Sequence, residues 1–210
     1  MKSIKTAIAG LAIALAATMA TVAHGADLEA GKASYGTCAA CHGSDAAGNP
    51  ALNAPALAGQ SADYLARQIT HYQAGIRGAD ARDTLGRQMQ GMAATLTSPE
   101  AVANVAAYIA SLPAGDGGEA GEHDKRNGEV QYNANCGACH GANAQGNPAL
   151  NAPNLATLDE AYLRRQYQNF QQGIRGSHPE DKYGRQMQMM SSMLGSDKDL
   201  DDVIGFILAQ

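Results

Sequence analysis

Apolar positions recur at helical spacing in two places along the chain. Val102, Val105, Ala106 and Ile109 form one stripe, and Leu200, Val203, Ile204 and Ile207 form a second. Each set falls on one face of an α-helix. Ser98-Pro99-Glu100 announces the first of these helices with a capping hydroxyl, a proline at the first helical position and an acid in the first turn. Ser196 caps the second. Tyr64 to Tyr72 and Tyr162 to Phe170 predict shorter middle helices, while Leu28 to Tyr35 and Gly128 to Tyr132 predict helices running into cysteine-containing motifs. Gly43 to Gln60 is rich in Gly, Pro and Asn and predicts loop. No stretch alternates as a half-buried strand does, so the expected fold class is all-α.

The pattern is written twice. Cys38-Ala-Ala-Cys41-His42-Gly43 returns 98 residues later as Cys136-Gly-Ala-Cys139-His140-Gly141. The same offset carries Gly48 to Pro55 onto Gly146 to Pro153, Gly75 to Gly78 onto Gly173 to Gly176, and Gly86 to Gln90 onto Gly184 to Gln188. From Cys38 to Leu112 against Cys136 to Gln210 roughly half the residues match without a gap. Ungapped identity of that kind means two copies of one domain. Pro113 to Glu122 between them is Gly-rich and acidic, which suits a flexible connector.

The start of the chain reads differently. Lys2 and Lys5 precede an uncharged run of small and apolar residues from Ile8 to Val22, and Ala23-His24-Gly25 follows with small residues placed for cleavage. This predicts an export signal removed near Gly25, with a retained membrane anchor as the alternative. The Ala-rich run is short for a full span. The expected organisation is therefore a signal peptide at 1–25, one domain at 26–112, a linker at 113–122 and a second domain at 123–210.

Composition narrows the chemistry. Of 210 residues 17% are charged and only 5% aromatic, with no Trp and 24 Gly. Two halves so poor in large apolar side chains each need an added staple. A formal net charge of -5 excludes the basic footprint of non-specific nucleic-acid binding.

The four cysteines of an exported chain invite a disulfide reading, but their spacing points elsewhere. Cys-x-x-Cys followed at once by His is the attachment motif of c-type haem. Cys38 and Cys41, and likewise Cys136 and Cys139, stand one helical turn apart, placed to form thioethers with two vinyl groups of one porphyrin. His42 or His140 then lies beneath the ring with its imidazole aimed at iron. A structural zinc site would require ligands pooled between the halves or additional ligands in each. Two haems also supply the apolar bulk that the composition lacks.

Beyond the signal the methionines fall in two clusters: Met89 and Met92, then Met187, Met189, Met190 and Met193. Gap-filling in the core is the ordinary use of such residues. Their restriction to one place per copy suits a sixth iron ligand, and a His/Met pair raises the reduction potential. The repeat pairs Met89 with Met187 and Met92 with Met190, and leaves the choice open. His71 and His178, aligned with Asn169 and Asp80, are alternative ligands present in one half only, and His123 near the connector reads as a surface residue.

With these residues in hand, the chain resembles the cytochrome c4 family, exported two-haem proteins built from tandem class I cytochrome c domains. The likeness spans essentially the whole mature chain. It rests on the Cys-x-x-Cys-His-Gly motifs, Leu57-Ala-Gly-Gln60, Tyr64-Leu65-x-x-Gln68, the Gly-x-Arg turns and Ala106-Ala107-Tyr108. It implies two all-α domains, each wrapped around one covalent haem and facing each other about a pseudo-twofold axis. It also implies a ligand Met seven residues before the Leu that precedes the last helix. That selects Met89 before Leu96 and Met187 before Leu194. Pro55 and Pro153 stand where the family's His-orienting carbonyl is found, and Arg77, Arg175, Arg87 and Arg185 are candidates for the haem propionates. Thr157-Leu158 departs from Gly59-Gln60, which puts the second domain's loop and its side of the interdomain contact in doubt.

The resemblance implies a periplasmic electron carrier with no vacant iron position. Its expected partners are redox proteins: a terminal oxidase, the cytochrome bc1 complex or a periplasmic dehydrogenase. Peripheral membrane association is compatible with it. The alternative is a dedicated electron-accepting subunit for sulfide or thiosulfate oxidation. A peroxidase would need one open iron, and an enzyme with a Cys-ligated haem would need a cysteine beyond the four already used.

Overall fold

A computed structural model describes residues 25–210, so the predicted signal peptide, apart from its last residue, lies outside the described residues. The first half comprises α1 (Leu28–His42), α2 (Ala62–Gln73), α3 (Thr84–Ala93) and α4 (Pro99–Ala110). The second comprises α5 (Lys125–Asn135), α6 (Gly137–His140), α7 (Glu160–Gln171), α8 (Lys182–Met190) and α9 (Asp197–Leu208). Among the described residues no strand forms. Isolated bridges of Asn49 with Ala54 and Asn147 with Ala152 tie the loop after each haem-attachment motif. Residues 113–121 carry no helix.

Side-chain oxygens start these helices. Asp27, Ser61, Asp83 and Ser98 accept backbone N–H groups at the heads of α1 to α4. Asp124, Asp159, Asp181 and Ser196 do so for α5, α7, α8 and α9. Each cap satisfies an N–H that the helix itself leaves unpaired.

In each half the first and last helices cross and pack, α1 on α4 and α5 on α9, with the middle helix against the last. The crossing depends on glycine. A Cβ on Gly31 would overlap the carbonyl of Asn104, and one on Gly128 would overlap that of Asp202. Aromatic pairs close both crossings, Tyr35 with Tyr108 at 5.6 Å and Tyr132 with Phe206 at 4.9 Å between ring centres. The predicted stripes are the core: Val102, Val105, Ala106 and Ile109 in one half and Leu200, Val203, Ile204 and Ile207 in the other are all buried.

Two features depart from the sequence pattern or go beyond it. The second motif is not continuous with its leading helix: α5 ends at Asn135 and a four-residue α6 begins at Gly137, with Cys136 between them at φ -122°. Tyr35 is followed by two residues before Cys38, whereas three separate Tyr132 from Cys136. The extra residue breaks the helix so that the motif keeps its orientation. The helices α3 and α8, which carry Met89 and Met187, go beyond the helices predicted above, although Leu85, Met89 and Met92, and likewise Tyr183, Met187 and Met190, recur at helical spacing.

Candidate haem sites

The loop that follows each motif is folded back by backbone bonds. The Ala46 carbonyl accepts from Leu57 and Ala58, and the Ala144 carbonyl accepts from Leu155 and Ala156. This brings Pro55 and Pro153 over the motif histidines. His42 Nδ1 lies 2.8 Å from the Pro55 carbonyl, and His140 Nδ1 lies 3.0 Å from that of Pro153. A carbonyl only accepts, so Nδ1 carries the proton and Nε2 keeps its lone pair for a metal. Burial pushes both imidazoles below the ordinary histidine range, against the pull of the proline carbonyl. Tyr35 and Tyr132 donate their hydroxyls to the carbonyls of Gly43 and Gly141, bracing the chain just past each histidine.

No two of the four cysteines are joined in a disulfide; Cys41 and Cys139 are exposed and Cys38 and Cys136 half-buried. Burial raises the Cys38 thiol and pushes that of Cys136 up to about 11. Cys38, Cys41 and His42 line one wall of a largely apolar cleft of about 1420 Å³, counting the part open to solvent. Met89 and Met92 line it too. Met92 and Met190 are exposed, whereas Met89 and Met187 are half-buried.

The cleft does not belong to one half alone. Leu158, Tyr162, Arg165 and Gln166 from the second half reach into it. The two halves meet through a ring of side chains. Gln68 Oε1 accepts from Arg77 at 2.7 Å and from Arg175 at 3.0 Å. Gln166 Oε1 accepts from Arg175 at 2.8 Å and from Arg77 at 3.2 Å. Arg77 also donates to the Tyr162 hydroxyl at 2.9 Å. Burial would raise the Tyr162 phenol, but the Arg77 and Arg175 guanidiniums outweigh it and hold it below the ordinary range. Arg67 grips Asn151 and Arg165 grips Asn53 in reciprocal contacts.

These features fit a haem at each motif. A thiol pair one turn apart and an imidazole with its outer nitrogen satisfied, present in both halves, are what covalent attachment and iron ligation require, and the apolar cleft beside Cys38, Cys41 and His42 adds room for the ring in the first. The arginines supply a further test. Arg77 is only 5% exposed, and its hydrogen-bond partners are neutral. The Nε atoms of Arg67, Arg77, Arg165 and Arg175 are buried without a partner. A buried guanidinium calls for an anion, and haem propionates are such anions.

The sequence singled out Arg77 and Arg175, and both lie in this ring. Arg87 and Arg185 lie on the surface. His71 is not among the cleft residues; it faces Asp181 of the other half at 3.7 Å. His178 accepts from the Glu180 backbone, and His123 packs on Gly205 with Nδ1 2.8 Å from the Gly121 carbonyl. The departure at Thr157 is an interdomain clasp. Gln60 bonds the backbone N–H and C=O of Asn154, and Thr157 packs beside Gly59. Gln68, Gln166, Arg67 and Arg165 were not assigned roles from sequence. Their identity between the two copies was the available signal.

The cytochrome c family model matches residues 28–113 and again 126–210. Cytochrome c4 of Stutzerimonas stutzeri is 34% identical over 73% of this chain and 77% of its own length. The chain belongs to the cytochrome c4 family. It is a two-haem electron carrier, all-α, with two cytochrome c domains in tandem. The crystal structure of reduced cytochrome c4 from Pseudomonas stutzeri superposes with a TM-score of 0.69 at 30% identity, covering 87% of this cytochrome and 98% of that chain. The thiosulfate dehydrogenase electron acceptor of Stutzerimonas stutzeri (strain A1501) is 33% identical over 91% of this cytochrome and 90% of its own length. A cbb3-type cytochrome c oxidase subunit FixP of Sinorhizobium medicae is 38% identical over 57% of this cytochrome and 40% of its own length.

Proposed function

We propose that this cytochrome works in the periplasm, taking electrons from the cytochrome bc1 complex or a periplasmic dehydrogenase and passing them to a terminal oxidase. In this reading residues 1–25 are an export signal, 26–112 and 123–210 are the two domains, and 113–122 links them. Cys38 and Cys41 hold one haem and Cys136 and Cys139 the other. His42 with Met89, and His140 with Met187, would hold the two irons. Met89 and Met187 are favoured over Met92 and Met190 because they are the more buried of each pair.

The observation that carries the reading is the buried, singly oriented imidazole in each half, with a half-buried methionine at the matching place in each copy. Two protein ligands per iron leave no position for a substrate, which favours a carrier over a peroxidase. When bound, each haem supplies one Fe(III)/Fe(II) couple, and a His/Met pair raises its potential. The protein's own work is to hold the histidine tautomer through Pro55 or Pro153, to shield the cleft from water and to compensate propionate charge with Arg77 and Arg175. Among the described residues no helix is long and apolar enough to cross a membrane.

A second reading is supported by the similarity to the thiosulfate dehydrogenase electron acceptor: a dedicated acceptor for one periplasmic enzyme. Oxidised holoprotein should show the weak near-infrared band of Met-to-iron ligation, and Met89→Ala and Met187→Ala should each remove about half of it. Survival of the full band in both variants would overturn the ligand assignment. Rapid oxidation by oxidase-containing membranes supports the first partner. Reduction by thiosulfate dehydrogenase, with no oxidation by membranes, supports the second.

A further inference from the structure

The two halves share a site, but they do not hold each other equally. Helix α8 of the second domain is gripped at its head by the first domain through two side chains. The His71 imidazole, its side chain only 12% exposed, packs against Asp181, the carboxylate that caps α8 by accepting from Gly184 N–H; at 3.7 Å the contact is longer than a hydrogen bond, and His71 Nδ1 has no hydrogen-bond partner. The Arg67 guanidinium, already tied to Asn151, lies 4.8 Å from the ring centre of Tyr183 in the first turn of α8. Tyr183 precedes Met187 by four residues, so the two side chains share one face of the helix.

The reciprocal grip is absent from the sequence of the other half. At the positions equivalent to His71, Asp181 and Tyr183 stand Asn169, Asp83 and Leu85. They offer no imidazole to pair with the capping carboxylate and no ring for the guanidinium. Arg67 and Arg165 each also lie 5.5 Å from a tyrosine ring of their own domain, Tyr64 and Tyr162, and only Arg67 adds a ring from the other domain. Helix α3, which carries Met89, is capped by Asp83 alone in the same local way.

We infer that His71 and Tyr183 are positioning residues that clamp α8 across the domain interface, making the Met187 ligand harder to displace than Met89. The inference rests on the assignment of these two methionines as ligands. The clamp acts through the helix: Met187 swings away from iron more easily where α8 can shift, and His71 and Arg67 hold α8 from the other domain through contacts for which α3 lacks the residues.

Displacement by exogenous imidazole tests this on the holoprotein. Met89→Ala leaves only the Met187 band, and Met187→Ala leaves only the Met89 band, so each bond is read alone. The Met187 band should need more imidazole to bleach than the Met89 band. In the Met89→Ala background, His71→Asn with Tyr183→Leu should lower the half-bleaching concentration by roughly three- to thirty-fold, the worth of one desolvated cation–π contact and a polar pair. Grafting the clamp onto the other half, Asn169→His with Leu85→Tyr in the Met187→Ala background, should raise it. Equal midpoints for the two bands, or no change on removing the clamp in protein that retains two haems by mass, overturns the inference while leaving the ligands in place. Absence of any band in Met89→Ala overturns the ligand assignment and the inference with it.

Discussion

The first half of this cytochrome reaches its haem motif on one unbroken helix; the second reaches the same motif across a break. Yet the bonds at the motif agree closely. The Tyr hydroxyl to Gly carbonyl distance is 2.6 Å in one and 2.7 Å in the other, and the His to Pro distance is 2.8 Å and 3.0 Å. An extra residue between Tyr132 and Cys136 has been absorbed by ending α5 early, not by moving the site. The lesson is that the short-range bonds around each histidine are the constrained part, and the helices leading to them have slack.

The helix crossing teaches the opposite lesson. Both halves pass their first helix over their last at a glycine, but the backbone N–H at the head of the first helix is caught differently. Asp27 N–H donates to the neutral Asn104 side chain, and Asp124 N–H donates to the carboxylate of Asp202. Asp202 also accepts from Asn127 and Lys198. The same contact is made with a titratable group in one domain and without one in the other.

Three changes would break or sharpen this comparison. The largest effect is expected at the crossing itself. Gly31→Ala and Gly128→Ala each drive a Cβ into a carbonyl, and each should cost about 3 kcal/mol or more of domain stability. Thermal unfolding of the two variants should show similar losses; a harmless alanine in either half would mean that its crossing is loose. A smaller effect is expected at the motif brace. Tyr35→Phe and Tyr132→Phe each remove one of two donors to a glycine carbonyl, which keeps the Ala46 or Ala144 N–H, at a cost of about 0.5–1.5 kcal/mol each. Denaturant titration should give equal losses in the two domains if the brace is as constrained as its geometry.

The smallest effect, and the one that separates the halves, depends on pH. The hydrogen bond from Lys198 is the main cause holding the Asp202 carboxyl down at about 2; burial opposes it, and Asn127 and the Asp124 N–H add to it. The folded value lies below the unfolded one, so the contribution is complete above about pH 4 and is lost as pH falls towards 2. The stability difference between the native protein and Asp202→Asn should therefore shrink over that window. Asn104→Ala in the first domain should lose a constant amount at every pH. A parallel pH profile for the two variants would show that Asp202 carries no linked proton.

Much of this was legible in the chain. The Cys-x-x-Cys-His repeats, the Ser98 and Ser196 caps and the apolar stripes of α4 and α9 are local or periodic signals, and they name the haem sites and the principal core. Helices α3 and α8 carry a stripe of the same kind, Leu85, Met89 and Met92 and then Tyr183, Met187 and Met190, but Gly86 and Gly184 sit in their first turns, where a good helix former is expected. Those glycines are there because a Cβ would overlap the capping Asp83 or Asp181 carboxylate, a packing reason with no periodic signature.

By itself, the sequence determined that there are two copies of one site, each built on a Cys-x-x-Cys-His motif, and that the fold is helical, because spacing along a chain encodes turn geometry directly. Tertiary structure alone decided how the copies face each other: the ring of Arg77, Gln68, Arg175 and Gln166, the Gln60–Asn154 clasp and the one-sided grip on α8. Arg77 with Gln68 and Arg175 with Gln166 are nine residues apart, but the pairings between the halves join residues 89 or more apart. Which of the polar side chains on α2 and α7 point at the other half depends on how the two halves dock, and that orientation is set by the packing of both surfaces at once.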